Sequence, residues 1–348
     1  MTQHSPIQAA DAANAPVVAI VGATGAVGVE LIRSLEMRNF PLSSLRLLAS
    51  ARSAGRTMDF RGAQVPVEEL TEDSFAGVDI ALFSAGATIS RKFGPIAVAA
   101  GAQVIDNSSA FRMNDDVPLV VPEVNGDTIG NQSGIIANPN CVAAILTVAL
   151  APLHRKHTIR RLNIATYQAA SGAGAAAMEE LRQGTLAAIE GRDFTPEVLP
   201  HPYAFNIFSH NADVDPETGY NGEELKVIAE TRRILARPDL PVGITCIRVP
   251  ILRAHAMAVT VEFEEPVDEA EARALLAEGA GLRLVDDRAA NHFPMPCEVS
   301  GGEDVHVGRI RRDLGDPSGR SLALFIAGDQ LLKGAAQNAV QIAEALRA

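Results

Sequence analysis

The first glycine loop constrains this chain more than any other stretch. The β-branched run Val17-Val18-Ala19-Ile20-Val21 stops on Gly22-Ala23-Thr24-Gly25-Ala26-Val27-Gly28, and apolar residues then recur at helical spacing as Val27, Leu31, Ile32 and Leu35. A buried strand, a glycine turn and a helix in immediate succession commit the chain to βαβ units around a parallel sheet. Glycines at that junction allow a tight turn and let backbone approach a pyrophosphate, while the helix start offers free N–H groups. An ordinary glycine-rich turn is the plainer alternative. Placement at the first strand-to-helix junction favours dinucleotide binding over it.

Strand and helix patterns keep alternating after the loop. Residues 45–49, 78–84 and 102–105 read as strands and residues 89–100 as a helix, which predicts a doubly wound sheet. The second of these strands ends on Ser50-Ala51-Arg52-Ser53. An NAD site usually carries an acid there for the ribose 2′-hydroxyl; Arg52 with its hydroxyl neighbours suits a 2′-phosphate, so NADP is the expected cofactor. Ser84, at another strand end, is a further candidate for the cofactor. Beyond about residue 157 strands dominate, over 159–169, 244–249, 256–265, 283–286, 305–312 and 322–327, with few helices between them. That pattern predicts an α+β domain with a largely antiparallel sheet. Residues 331–346 read as a last helix.

At 348 residues the chain is too long for one ordinary core, so two domains are expected. A net charge of −12 argues against nucleic acid and anionic membranes as partners, and the absence of Trp argues against a base-stacking surface. The three cysteines, Cys141, Cys246 and Cys297, are too dispersed for a zinc site or disulfide framework. A reducing, cytoplasmic setting fits them. Residues 1–15 lack the basic and apolar regions of a signal peptide and read as a disordered tail. No apolar run reaches the length of a membrane span.

Asn138-Pro139-Asn140-Cys141 precedes the helical run Val142-Ala143-Ala144-Ile145-Leu146. Asn140 is a plausible N-cap, which puts Cys141 in the first turn, where the helix dipole favours a thiolate. A thiolate there is a candidate nucleophile, although, taken alone, a cysteine in such a place is more often a small core residue. Cys246 sits within a strand pattern, and Cys297 lacks both a cationic neighbour and a helix start.

Six segments then occur in a telling order. They are the glycine loop, Asn107-Ser108-Ser109-Ala110-Phe111-Arg112, Asn138-Pro139-Asn140-Cys141, Tyr167-Gln168-Ala169-Ala170-Ser171-Gly172-Ala173-Gly174, Asn221-Gly222-Glu223-Glu224-Leu225-Lys226, and Arg248-Val249-Pro250 followed by His255. From about Val17 onward the chain closely resembles bacterial aspartate-semialdehyde dehydrogenases. The resemblance implies a Rossmann-type NADP-binding domain over 16–138 and 329–348, and an α+β catalytic and dimerisation domain over 139–328. It also implies a homodimer and the reversible conversion of aspartyl 4-phosphate to aspartate 4-semialdehyde and phosphate. That step feeds lysine, diaminopimelate, methionine and threonine synthesis.

The same resemblance assigns roles. Cys141 would form a thioester, Gln168 would orient the substrate, and His255 would be the general acid and base. Arg248 would grip the α-carboxylate and Glu223 would meet the ammonium group. Arg112 and Lys226 would bind phosphate. Gly22, Thr24, Gly25, Ala26 and Val27 would meet the pyrophosphate, Arg52 and Ser53 the 2′-phosphate, and Ser171, Gly172 and Gln330 the nicotinamide side. No metal is implied. A straight strand would put Arg248 and His255 on opposite faces; Pro250 between them allows a bend, but spacing does not yield their convergence. Two rivals stand beside this reading: an N-acetyl-glutamyl-phosphate reductase, whose cysteine has Tyr-Pro after it where this chain has Val142-Ala143, and a non-catalytic NADP-binding paralogue. A glyceraldehyde-phosphate dehydrogenase is disfavoured because its Ser-Cys-Thr-Thr-Asn segment is absent.

Overall fold

β1 (Val17–Val21) shows why the amino-terminal half forms a parallel sheet: four of its five residues are buried, so it needs neighbours on both edges and cover on both faces. The computed structural model describes residues 15–130 and 134–347. The tail expected over 1–15 therefore lies, except for Ala15, outside the described residues. After β1 come α1 (Ala26–Met37), β2 (Ser44–Ala49), β3 (Thr57–Phe60), β4 (Ala63–Glu69), β5 (Ile80–Phe83), α2 (Ala87–Ala99), β6 (Gln103–Asp106) and β7 (Ile135–Ala137). The sheet runs β3-β4-β2-β1-β5-β6-β7 and is parallel except between β3 and β4. Strand order reverses at β1, so the glycine loop leaves the sheet at the switch point where α/β folds bind ligands.

Two parts of this sheet escape the sequence pattern. The β3–β4 hairpin has polar strands, and its turn is Arg61-Gly62 with φ of 50° and 78°, a geometry that usually advertises itself with Asn-Gly. β7 is three residues long and too short to show a period.

The second unit contains α3 (Pro122–Asn125), α4 (Cys141–Lys156), β8 (Ile159–Gln168), α5 (Ala175–Ile189), β9 (Phe208–Ser209), α6 (Gly222–Ile234), β10 (Val242–Arg248) and β11 (His255–Phe263). It continues with α7 (Glu269–Ala277), β12 (Leu282–Leu284), α8 (Pro296–Val299), β13 (Val305–Arg312) and β14 (Ser321–Gly328). Its sheet, β12-β13-β14-β11-β8-β10-β9, is mainly antiparallel, with parallel pairs only at β12–β13 and β8–β10. The expectation of few helices between these strands is corrected by α5, α6 and α7. Small residues in α5 and charged ones in α6 weaken their apolar stripes. α4 is buried from Val142 through Ala151, so it is a core helix of this unit rather than an amphipathic cover.

β8, β10, β11 and β14 alternate on the sheet's two faces. Leu162, Ile164, Thr166 and Gln168 are buried, whereas Asn163, Ala165 and Tyr167 are exposed or half-buried. The same half-covered face carries Ala258, Thr260, Ala323 and Phe325.

The last helix is not continuous. A π-helical turn, Leu332–Ala336, precedes α9 (Gln337–Ala345). Gly334 explains the widening: a β-carbon there would lie 2.7 Å from Cys141 Cβ. The compact units divide as 1–118, 129–138 and 339–348 against 119–128 and 139–338. This differs from the boundaries expected from sequence over 119–128 and 329–338. Within the second unit those segments hold each other: Lys333 pairs with Glu123, and Asn338 Nδ2 donates to Val120 O at 2.9 Å. In the first unit, α9 is tied to the end of α1 by the two-pronged Arg38–Glu344 pair, 2.9 and 2.8 Å. No described helix is long and apolar enough to cross a membrane, and no described group of three His, Cys, Asp or Glu residues could hold a metal ion.

Candidate active site

The glycine loop is built for close approach. Gly22 has φ 87°, and a β-carbon on it would lie 2.5 Å from Ser84 O; one on Gly28 would lie 2.2 Å from Gly22 O. Side chains are therefore excluded at both positions. Gly25 caps α1 without a side-chain bond, which leaves the first N–H groups of Ala26 and Val27 available to an anion. Gly22, Thr24, Arg52, Ser53 and Ser84 line one cavity of about 470 Å3. Thr24 Oγ1 lies 3.4 Å from Ser53 Oγ. Glu69, from the end of β4, lines the same cavity. Inspection of the β2 end alone misses it, because the register that sets Glu69 beside Ala49 belongs to the unpredicted β4. The donor set and the excluded β-carbons fit a dinucleotide.

Arg112 also lies in the first unit. Its Nε donates to Asn138 O at 2.9 Å and its Nη2 to Asn107 O at 2.7 Å, and the side chain is buried. Arg112 thereby ties the Asn107–Arg112 segment to Asn138.

In the second unit, strand register does what a bend at Pro250 was expected to do. β10 runs parallel to β8 with Arg248 beside Gln168, and β11 runs antiparallel on β8's other edge with Ala256 opposite Tyr167. One step further, His255 comes level with Gln168. His255, Gln168 and Arg248 thus form a row on one sheet face, because level neighbours on adjacent strands point the same way. The opposite-face expectation fails because the two residues stand on different strands. The connection between them crosses the end of β8: Val249 N donates to Gln168 O at 3.1 Å, Ala170 N to Ile251 O at 2.8 Å and Ser171 N to Leu252 O at 3.0 Å.

All three members of the row are buried and held. Gln168 accepts from Thr166 Oγ1 at 3.0 Å and donates to Glu223 Oε1 at 3.2 Å. Arg248 is fixed by Ala169 O, Asn211 Oδ1 and His210 Nε2. His255 Nδ1 accepts from Ala169 N at 3.0 Å, so the neutral ring carries its proton on Nε2. That Nε2 is buried without a hydrogen-bond partner among the described residues. Burial, reinforced by the Arg248 charge and then by His210, holds this imidazole well below its ordinary range.

Cys141 opens α4, as the sequence predicts, and is partly exposed. Asn140 caps the helix, its Oδ1 accepting from Val142 N at 2.9 Å and Ala143 N at 3.3 Å. α6 clamps the cap: Glu223 Oε1 accepts from Asn140 Nδ2 at 2.9 Å, and Glu230 Oε2 from Asn140 N at 2.5 Å. Glu223 Oε1 therefore joins the start of the cysteine helix to Gln168 in the row. Burial pushes the Glu223 carboxyl up, but His210, the Asn140 amide, Lys226 and the Gln168 amide together outweigh it and bring it down. Lys226, one turn along α6 from Glu223, is exposed.

Ser171 and Gln330 hydrogen-bond to each other, and Gln330 Oε1 takes the Ala254 N–H at 2.8 Å. Ala254, immediately before His255, has φ 72°, a strained value for a residue with a β-carbon. Gly172 has no β-carbon to spare: one placed there would lie 3.0 Å from Arg248 Nη1 and 3.1 Å from His255 Nε2.

The other cysteines differ in kind. Cys246 lies inside β10, and burial pushes its thiol up to about 12. Cys297 is exposed and, against expectation, does sit at a helix start, the single turn of α8. Sequence reasoning missed His210, Asn211, Glu230 and Gly334. The polar cluster His210-Asn211 in a loop was the one available signal; the others acquire meaning only through tertiary contact.

Two family models match the chain. The semialdehyde dehydrogenase NAD binding domain covers 17–132, and the semialdehyde dehydrogenase dimerisation domain covers 150–333. Aspartate-semialdehyde dehydrogenase of Synechocystis is 50% identical over 329 residues, covering 94% of this chain and 96% of that protein. The Bacillus subtilis protein of the same name is 44% identical, covering 95% and 97%. A crystal structure of aspartate semialdehyde dehydrogenase II from Vibrio cholerae, complexed with ASA, superposes with a TM-score of 0.92 at 41% identity and covers 96% of this chain and 98% of its own.

Proposed function

This chain belongs to the aspartate-semialdehyde dehydrogenase family, and we propose on that premise that it interconverts L-aspartyl 4-phosphate and L-aspartate 4-semialdehyde with NADPH and phosphate. In the cytoplasm that step would feed lysine, diaminopimelate, methionine and threonine synthesis. The row His255–Gln168–Arg248, joined to the Cys141 helix through Glu223, is the observation that carries the reading.

The Cys141 thiolate attacks the acyl carbon of the acyl phosphate, the bond to the phosphate oxygen breaks, phosphate departs, and a thioester remains on Sγ. NADPH, when bound, would supply the hydride for reduction of this thioester. In the first unit, Gly22 to Val27, Arg52, Ser53 and Ser84 would hold the dinucleotide; Ser171, Gly172 and Gln330 of the second unit are nicotinamide contacts only by the family resemblance. Arg248 grips the α-carboxylate through paired N–H groups, and Glu223 meets the ammonium group. Lys226 of the second unit would receive phosphate; Arg112 of the first unit is a phosphate contact only by the family resemblance. In its protonated form His255 donates from Nε2 to the oxyanion of the reduced adduct, leaving a neutral ring, and that ring takes the same proton back as the thiolate leaves and the aldehyde forms. A carboxylate on Arg248 cancels part of the charge that depresses His255, so substrate binding itself raises the proton affinity of the acid–base group.

A homodimer accompanies this reading. The half-covered sheet face with Ala165, Ala258 and Phe325 lies inside the matched dimerisation domain, and a second copy is its natural cover.

The test is NADP reduction, followed by nicotinamide absorbance, with L-aspartate 4-semialdehyde in the presence and absence of phosphate. Phosphate-dependent turnover is expected. Turnover only with N-acetyl-glutamate semialdehyde would keep the thioester chemistry and overturn the substrate. Folded, NADP-binding protein inactive on both would be a binding paralogue.

A further inference from the structure

Arg248 has five N–H protons, and the chain takes three of them. Asn211 Oδ1 accepts from Nε at 3.0 Å, Ala169 O accepts from Nη1 at 2.9 Å, and His210 Nε2 faces Nη2 at 2.9 Å. A neutral imidazole has one lone pair to offer, and two N–H groups approach this ring: Arg248 Nη2, and Ala212 N at 3.2 Å from Nδ1. The shorter, charge-assisted contact decides the tautomer, so Nε2 accepts and Nδ1 carries the proton. Burial, then the Arg248 charge, push His210 down to about 4, which keeps that lone pair free.

The placement has a local cause. β9 pairs antiparallel with the end of β10, setting Phe208 level with Arg248, and His210 N donates to Cys246 O at 2.9 Å. The chain leaving β9 therefore passes along the edge of the sheet where the guanidinium lies. Among the described residues no acceptor takes the remaining proton on Nη1 or on Nη2. The space beside Nη1 is the one that a Gly172 β-carbon would fill, and His255 Nε2 borders it too.

We propose that His210 and Asn211 are positioning residues for substrate recognition: they occupy the Nε edge of Arg248 and leave a two-proton fork, Nη1 with Nη2, turned to a carboxylate. This rests on Arg248 being the carboxylate site. The pair selects substrates with a free carboxylate and a spacing that lets the reacting carbon reach Cys141, without touching the substrate itself.

Kinetics of purified full-length variants test it. His210→Leu and Asn211→Leu should each raise the KM for L-aspartate 4-semialdehyde about tenfold, with kcat within about threefold and NADP affinity unchanged, as loss of a hydrogen bond to a charged group predicts. His210→Gln, which keeps an acceptor, should recover most of the loss and keeps the test available if the leucine variant does not fold. Equal defects in the Gln and Leu variants, or parallel rises in the KM values for NADP and phosphate, would mean a structural role only and overturn the proposal. In an Arg248→Lys background, His210→Leu should add little further rise; a full tenfold rise there also overturns it. Separately, an unchanged KM in Arg248→Lys alone would remove the carboxylate assignment itself.

Discussion

Gly172 illustrates how little space the site leaves. A methyl group there would press on both Arg248 Nη1 and His255 Nε2, at 3.0 and 3.1 Å. Gly172→Ala should therefore fold normally and raise the KM for the aldehyde by about tenfold or more, roughly 1.4 kcal/mol. Wild-type kinetics in that variant would place the reacting groups elsewhere. Arg52 makes a different demand. It is exposed, and its proposed partner is a dianionic 2′-phosphate. Arg52→Ala should weaken NADP binding about tenfold and NAD binding no more than about twofold. Equal losses in a binding titration would return the 2′-phosphate to solvent and bring Glu69 forward as a ribose contact. Cys141 and Arg52 could be singled out as candidates because short-range signals mark them: an N-cap before an apolar helix, and a strand end without an acid. His210 and Asn211 carry no such signal, since their importance lies in the guanidinium they support, thirty-eight and thirty-seven residues away.

At the level of elements, α4 and α6 act together. Asn140 caps α4, while Glu223 and Glu230 of α6 hold the cap from outside. Asn140→Ala should cost about 1 kcal/mol of stability. It should also lower kcat more than it raises KM, because the first turn that carries Cys141 loses its anchor. Denaturant unfolding and steady-state kinetics on the same variant separate the two effects; a stability loss with unchanged kcat would show that the cap serves the helix and not the thiol. Strands with strong β-branched runs, β1 and β8 among them, were readable from the sequence within a residue or two. The polar β3–β4 hairpin and three-residue β7 were not, because neither alternation nor length distinguishes them from loop. The π-helical turn was invisible for another reason: it answers a steric demand at Gly334 set by a cysteine almost two hundred residues earlier. Convergence of Arg248 with His255 was equally hidden. Spacing along a chain says nothing about which strands will share an edge with β8.

Over the whole molecule, the depressed His255 makes stability pH-dependent. Its folded-state proton affinity lies below the unfolded value, so the unfolded chain binds the extra proton first. That contribution is complete above about pH 6.5 and is lost as pH falls, at no more than about 1.4 kcal/mol per pH unit for this one group. Urea unfolding at neutral and mildly acidic pH should show a shallower acid loss in His255→Asn than in the wild type; identical slopes would mean the ring is not held neutral. Assembly gives a second prediction at this scale. Ala258→Arg, on the half-covered sheet face, should convert a dimer to a monomer in light scattering, and a persisting dimer would move the interface to another surface. The six-residue connection from Arg248 to His255 has one more implication. Each flanking strand takes its register from its own ladder with β8, so extra residues in the connection need not shift either strand. They would instead break the bridges from Val249, Ile251 and Leu252 to the end of β8. Lengthening this loop would therefore leave a foldable protein whose His255–Gln168–Arg248 row has lost its tether, separating what the loop does for folding from what it does for the site.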